Sequence, residues 1–295
     1  KFFAFETKVE KETLIKMKSL NERVNEAVKF LDRGRNRKFF NGILIGTVLA
    51  FASPRLDKIT EYKIPQVQEI KEEEPKLYRG RRNDILSLET IADDNLKAAV
   101  ENHYNDINER DIAKVVKRIN RNFKNLFDRF SDDYNLDVML MKGLTYQEST
   151  INPGEISPMG AMGLGQIMPG SVASIIRYVK DENTRKELRR DLRRGRIKGK
   201  LVIPKYNLEL SAAYLSALID KYEGNIILGL AAYNMGPSAV DRLLRAKNLK
   251  PGGATYYKIL DDLKPETREF IPKVFSKALR MRERYVSEKD KNRFH

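Results

Sequence analysis

From about residue 91 onward, apolar positions recur every three or four residues, and the rhythm breaks at clusters of Pro and Gly. Within residues 91–130, Ile112, Val115, Val116, Ile119, Phe123, Leu126, Phe127 and Phe130 form one amphipathic stripe. That stripe predicts a helical segment packing on the domain behind it. From Asn135 the pattern stays helical to the end of the chain. Met141, Leu144 and Glu148 fall on one helix face. Ser171 is placed to cap the segment after it, and Asn207 to cap a long Ala/Leu helix containing Leu208, Leu215, Leu218 and Ile219. Gly224-Asn225 ends that helix. Pro237 suits the first turn of a following helix, and another starts after Pro265. No run alternates apolar and polar residues as a half-buried strand does, so the predicted fold class is all-α.

The N-terminal part has a different pattern. Residues 1–38 read as a polar arm, with Val24, Val28 and Leu31 at helical spacing and the basic block RGRNRK at its end. The next run, FFNGILIGTVLAFAS at 39–53, carries no charge. It is short of the ~20 residues that comfortably span a bilayer. A basic flank followed by an apolar core and small residues reads as a signal or signal-anchor, with everything after it exported or secreted if cut after Ala52. The long extension ahead of it favours an uncleaved inner-membrane anchor. Residues 54–90, with Pro54, Pro65, Pro75 and the run Glu72-Glu73-Glu74, read as a linker. The expected organisation is thus an arm (1–38), anchor (39–53), linker (54–90), packing segment (91–130), catalytic domain (131–286) and tail (287–295).

Composition narrows the chemistry. The 295 residues include no Cys, which removes disulfides, thiolate nucleophiles and Cys-based metal sites. Of the two histidines, His295 is terminal, so a triad or metal site would rest on His103 beside Glu101 and Asp106. Acid–base work falls instead to Asp, Glu, Lys or Tyr, and neither metal nor cofactor is expected. The net charge of +15 suits an anionic partner: nucleic acid, a membrane surface or an acidic wall polymer. Nucleic acid is not expected, because few aromatics interleave with the basic residues. The densest charge run, at 180–205, reads as a solvated helical hairpin or as a basic lip for an anionic polymer.

Special residues concentrate at 143–171, GLTYQESTINPGEISPMGAMGLGQIMPGS. Glu148 shares its helix face with Met141 and Leu144, the side that turns to the core. A carboxyl group pressed against apolar surroundings is disfavoured as the anion and stays protonated nearer neutral pH, which suits a general acid. The plainer reading is an exposed Glu near a helix end. Asn152-Pro153 and Ser157-Pro158 then break the chain, and Gly160, Gly163 and Gly165 let backbone approach a ligand. No phosphate-loop pattern follows a strand here. Tyr233 and Asn234 form a polar pair at the end of an apolar helix.

Glu148-Ser149, Gly163-Leu164-Gly165-Gln166 and Ala232-Tyr233-Asn234 closely resemble, in order and spacing, the motifs of the soluble-lytic-transglycosylase-like family. Ile167-Met168-Pro169-Gly170, Tyr214-Leu215 and Glu266-Thr267-Arg268 extend the resemblance over roughly residues 130–285. It implies a goose-type lysozyme-like helical domain. The implied activity is cleavage of the β-1,4 bond between N-acetylmuramic acid and N-acetylglucosamine in peptidoglycan, in the periplasm or cell envelope. The resemblance makes Glu148 the single catalytic acid and base, with Ser149 steadying the helix end. Ser157, Gln166 and Met168 would line the sugar sites. Tyr233 would hydrogen-bond near the carboxylate, and Asn234 would hold the cleft. The departures are Gly165 where Met is usual, Ser211 where Gly is common and Phe270 where Tyr is common. The first removes a side chain from one wall of the sugar site and the last a hydroxyl from the cleft. The alternatives are a muramidase-type hydrolase on the same fold, for which Glu155 is the nearest second carboxylate, and a wall-binding component of a secretion or phage assembly.

Overall fold

A computed structural model describes residues 79–82, 86–253 and 255–291. The chain divides into two units, 1–71 and 72–295, and all described residues belong to the second. The polar arm, the apolar segment 39–53, most of the linker and the end of the tail lie outside them. Among the described residues no helix is long and apolar enough to cross a membrane.

The described elements are helical, with isolated antiparallel bridges Ile156–Met162 and Met162–Ile167 and no strand. In chain order the helices are α1 (Asp94–Asp106), α2 (Glu109–Asn122), α3 (Lys124–Asp133), α4 (Val138–Ser149), α5 (Val172–Ile175), α6 (Glu182–Arg193), α7 (Ile197–Leu201), α8 (Pro204–Lys221), α9 (Ile226–Met235), α10 (Pro237–Ala246), α11 (Tyr256–Ile259) and α12 (Pro265–Lys291). Polar residues start several of them. Asp93, Asn108, Asp137, Asp181 and Asn225 each accept a backbone N–H from the first turn of α1, α2, α4, α6 and α9.

The stripe at 112–130 is two helices rather than one. Phe123 takes φ −136° and ψ −2°, and the chain restarts as α3. Because no Gly or Pro marks the break, the sequence pattern runs straight across it. The apolar side chains still face one core, with Ile112, Val115, Val116, Ile119, Phe127 and Phe130 all buried. α3 also runs across the position where the packing segment was expected to end. Ser171 makes no capping hydrogen bond and closes a 3₁₀ turn, Pro169–Ser171. Asn207 is not a cap either, since α8 already begins at Pro204.

α9 lies at the centre. Ile226, Ile227, Leu228, Leu230, Ala231 and Ala232 are all at most 2 % exposed, as expected of a helix apolar on every side. It packs against α8, α10 and α12. α12 contains Pro272, whose ring removes the hydrogen bond to the carbonyl four residues back. That carbonyl, Arg268 O, accepts instead from the Tyr256 hydroxyl at 2.8 Å. Phe270 is buried in the core rather than set in a cleft.

α4 packs along α12, and the close approach depends on Gly143. A Cβ there would stand 2.6 Å from Val274 O and 2.7 Å from Ala278 Cβ. Gly143→Val should therefore cost about 1–3 kcal/mol, the usual range for overpacking. A lowered urea midpoint at unchanged slope would show it, and an unchanged midpoint would mean that this crossing is not tight.

Candidate active site

Glu148 occupies the last turn of α4, and the way that helix ends sets its surroundings. The Ser149 hydroxyl donates to Leu164 O at 2.8 Å, with Thr145 O also within reach at 3.2 Å, and it accepts from Asn152 N at 3.3 Å. Thr150 and Ile151 follow at φ 53° and 59°, in the left-handed region. Two consecutive β-branched residues there cost on the order of 1–3 kcal/mol each. The surrounding contacts hold them in place: Ile151 is fully buried, and the exposed Arg118 donates to Thr150 O at 3.2 Å.

Glu148 itself is half-buried, and among the described residues its carboxyl accepts no hydrogen bond. Burial, reinforced by the nearby Glu266 carboxylate and opposed by Lys277, pushes its pKa up to about 8. It is therefore protonated at neutral pH. Lys277, on α12, donates to Gln147 Oε1 at 2.7 Å and lies 4.6 Å from the Tyr146 ring centre. Burial and Lys273 draw its pKa down to about 8, while Glu148 pulls it up. Glu148 and Ser149 line an open cavity of about 660 Å³ together with Arg118, Phe123, Asn152 and Glu155. Glu155 thus shares a cavity with Glu148, and it accepts from Asn152 Nδ2 at 2.9 Å.

The 152–168 loop is a small folded unit. Ser157 Oγ accepts from Ala161 N at 2.9 Å, and Met162 and Ile167 exchange two backbone hydrogen bonds at 3.0 and 3.1 Å. Gln166, at φ 49°, donates its amide to Gly163 O at 2.9 Å and to Glu155 O at 3.3 Å. Met168 is 40 % exposed at the loop's far end. Asn207, fully buried, holds the unit down. Its Nδ2 donates to Met162 O and Leu201 O, both at 2.8 Å, and its Oδ1 accepts from Gly165 N at 2.7 Å.

Gly165 and Ser211 explain each other. A Cβ on Gly165 would sit 2.0 Å from Ser211 Oγ and 2.9 Å from the Tyr233 hydroxyl. The direction a side chain would take from position 165 is therefore already filled. Ser211 Oγ donates to Asn207 O at 2.8 Å and lies against Tyr233.

Tyr233 and Asn234 end α9 and approach from another side. The Tyr233 hydroxyl donates to Gly165 O at 2.8 Å rather than to the Glu148 carboxyl. Burial first, and the nearby Glu148 second, raise its pKa well above the usual tyrosine value, so it remains a donor. Asn234 accepts from Thr267 Oγ1 at 2.6 Å and donates to Glu266 Oε1 at 3.3 Å, which ties it to the carboxylate that raises the Glu148 pKa.

Ser149, Tyr233 and Asn234 therefore surround or neighbour Glu148, while the polar groups of Ser157 and Gln166 are taken up in shaping the loop. Sequence reading missed Lys277, Arg118 and the buried role of Asn207. Nothing in a single sequence marks Lys277, although it lies on the same α12 face as Val274 and Ala278, which meet Gly143. His103 stands apart, with Nε2 3.0 Å from Glu269 Oε2 rather than beside Glu101 or Asp106. Among the described residues no group of three or more His, Asp or Glu side chains is placed to hold a metal ion.

Two measurements test this geometry. Asn207→Ala removes three hydrogen bonds, each worth about 1 kcal/mol, and should speed amide exchange at Gly165 while lowering stability by about 3 kcal/mol. In an NMR titration of the Glu148 carboxyl carbon, Lys277→Met should move the midpoint up and Glu266→Gln should move it down. A midpoint unmoved by both would show that desolvation alone sets it.

Residues 125–253 match the model of the transglycosylase SLT domain. The chain is 30% identical over 118 residues to the soluble lytic murein transglycosylase of Salmonella typhimurium, a match covering 40% of this chain and 17% of that protein. It is 27% identical over 198 residues to the membrane-bound lytic murein transglycosylase C of Actinobacillus succinogenes, 65% of this chain and 45% of that one. The 70 kDa soluble lytic transglycosylase of Escherichia coli aligns in structure with a TM-score of 0.45 at 21% identity, over 67% of this chain and 31% of that one. The chain thus spans about a sixth of the soluble relative's length and under half of the membrane-bound one's. The chain is accordingly similar to SLT-like transglycosylases, and the match to the family model rests on residues 125–253.

Proposed function

We propose that this protein is a peptidoglycan lytic transglycosylase, with residues 131–286 as its catalytic domain. The observation that carries this reading is Glu148, a carboxyl group that its surroundings keep protonated to about pH 8 on the wall of an open cavity. The motif match and the names of its relatives supply the reaction class and the substrate, and the membrane-bound relative supports a cell-envelope location. Residues 39–53 would anchor the chain to the inner membrane.

In the proposed reaction Glu148 donates its proton to the glycosidic oxygen between N-acetylmuramic acid and N-acetylglucosamine. The C1–O bond breaks, and the substrate's own N-acetyl group stabilises the positive charge at C1, one of the exceptions to the two-carboxylate scheme. The ionised Glu148 then takes the proton of the muramic acid 6-hydroxyl as O6 bonds to C1. The product has a 1,6-anhydro end, and no water is consumed. Lys277 favours the ionised Glu148 between the two steps, while burial and Glu266 favour the protonated form before the first. Tyr233 and Ser149 act as positioning residues: Ser149 ties the end of α4 to Leu164, and Tyr233 ties the end of α9 to Gly165.

A second reading rests on Glu155. It lines the same cavity as Glu148, and in this reading its carboxylate would activate a water molecule and make the reaction a hydrolysis. Mass spectrometry of digested peptidoglycan separates the two. The expected fragments carry 1,6-anhydro ends, whereas reducing ends throughout would establish hydrolysis. Glu148→Gln should lower fragment release by at least about a hundredfold, since an amide supplies no proton. Near-normal release from that variant would sink the assignment of Glu148.

A further inference from the structure

The α6–α7 hairpin carries a surface that the proposed reaction does not use. Thr184, Leu188 and Asp191 are the buried residues of α6, spaced for one face of the helix. Lys186, Arg189, Arg190 and Arg193 lie elsewhere around it and are exposed, as are Arg194 and Lys198 beyond its end. The hairpin's acids are already engaged. Glu182 pairs with Arg185 and, at 3.9 Å, with Lys186. Asp191 lies 3.1 Å from Arg196 and 3.7 Å from Lys200, and Glu187 lies 3.3 Å from Lys200 and hydrogen-bonds Tyr206. Arg189, Arg190, Arg193, Arg194 and Lys198 make no ion pair or side-chain hydrogen bond among the described residues.

Like charges at this spacing repel along a helix, and an anionic ligand relieves that repulsion. Guanidinium groups match planar carboxylates with two parallel hydrogen bonds. The hairpin is also fastened to the site. α7 packs on the turn Pro169–Ser171, next to Met168. Its Leu201 carbonyl is held by the same Asn207 amide group that holds Met162 and Gly165.

We propose that this arginine face is a second binding surface for peptidoglycan. It takes the carboxylates of the peptide stems on strands whose glycan lies at Glu148. The proposal deepens the reading of the site given above and rests on its choice of substrate. It turns the chain's excess positive charge into a local device: the glycan is read at the cleft, and the charged stems are gripped beside it.

Sedimentation of the full chain with purified cell-wall sacculi tests the idea. Glu148→Gln is carried throughout, so that the strands stay uncut. Adding Arg189→Gln, Arg190→Gln, Arg193→Gln and Arg194→Gln should weaken binding on the order of tenfold at low salt. The difference should vanish in about 1 M salt, where the screening length falls to about 3 Å. The matching set of four Lys substitutions keeps the charge but not the paired hydrogen bonds, and should bind between the parent and the Gln set, which separates loss of charge from loss of fold. Glycan stripped of its stems by an amidase should bind the parent and the Gln set alike. Equal binding of intact sacculi by the parent and the Gln set would overturn the proposal. So would an equal defect on stem-free glycan, or an arginine-dependent affinity confined to phosphatidylglycerol vesicles. Because nothing is cleaved in this assay, its failure leaves the cleavage reaction standing. A failed digest of the parent would overturn the reaction without altering these binding results.

Discussion

The structure turns on one desolvated carboxyl group. Glu148 sits where its charged form is disfavoured, and with no hydrogen bond to offset the loss its native pKa rises to about 8 from the ordinary 4.5. Between those two values the native chain holds a proton that the unfolded chain has released. This group therefore lowers stability as pH rises through that window, and it stabilises nothing. The rest of the fold has to offset that cost, along with the two left-handed β-branched residues that follow. A proton held to about pH 8 on a cavity wall is the chemical return.

The offset comes from tight contacts on three sides. Gly143 lets α4 and α12 approach closely enough to bring Lys277 near the end of α4. α9, buried all round, delivers Tyr233 and Asn234 from the centre of the molecule. Asn207 spends its whole amide on the backbone of the 152–168 loop and of α7. Gly165 is the meeting point: its N–H goes to Asn207, its carbonyl accepts from Tyr233, and the space of its absent side chain is filled by Ser211. The two departures from the family pattern, Gly165 and Ser211, are thus one exchange of volume across a contact. They leave no gap beside Gly165.

Charge is organised on a different scale. Near Glu148, partial burial raises the pKa, and single neighbours such as Glu266 and Lys277 adjust it further. On the α6–α7 hairpin, five cations outside any ion pair among the described residues face solvent, where one charge does little and several together attract a polyanion. The first arrangement suits proton transfer, and the second suits holding an extended, carboxylate-bearing substrate.

Much of this was legible in the sequence, because it depends on local periodicity and residue type. The all-helical class follows from the three- and four-residue spacing, and the helix starts at Pro237 and Pro265 follow from fixed backbone chemistry. The candidate acid stood out because Cys is absent and His is scarce, leaving a Glu on an apolar helix face with few rivals. Other features were illegible because they arise between segments far apart in the chain. No local signal breaks the helix at Phe123, turns Asn207 from a cap into a buried clamp, or sets Glu266 and Lys277 on opposite sides of the Glu148 balance. Nor does sequence spacing show that Gly165 and Ser211 compete for one space. The sequence by itself determined the helices and singled out Glu148 as the candidate acid, since those rest on periodicity and composition. The tertiary structure decided that acid's protonation and its neighbours, because desolvation and contact exist only once distant helices have packed.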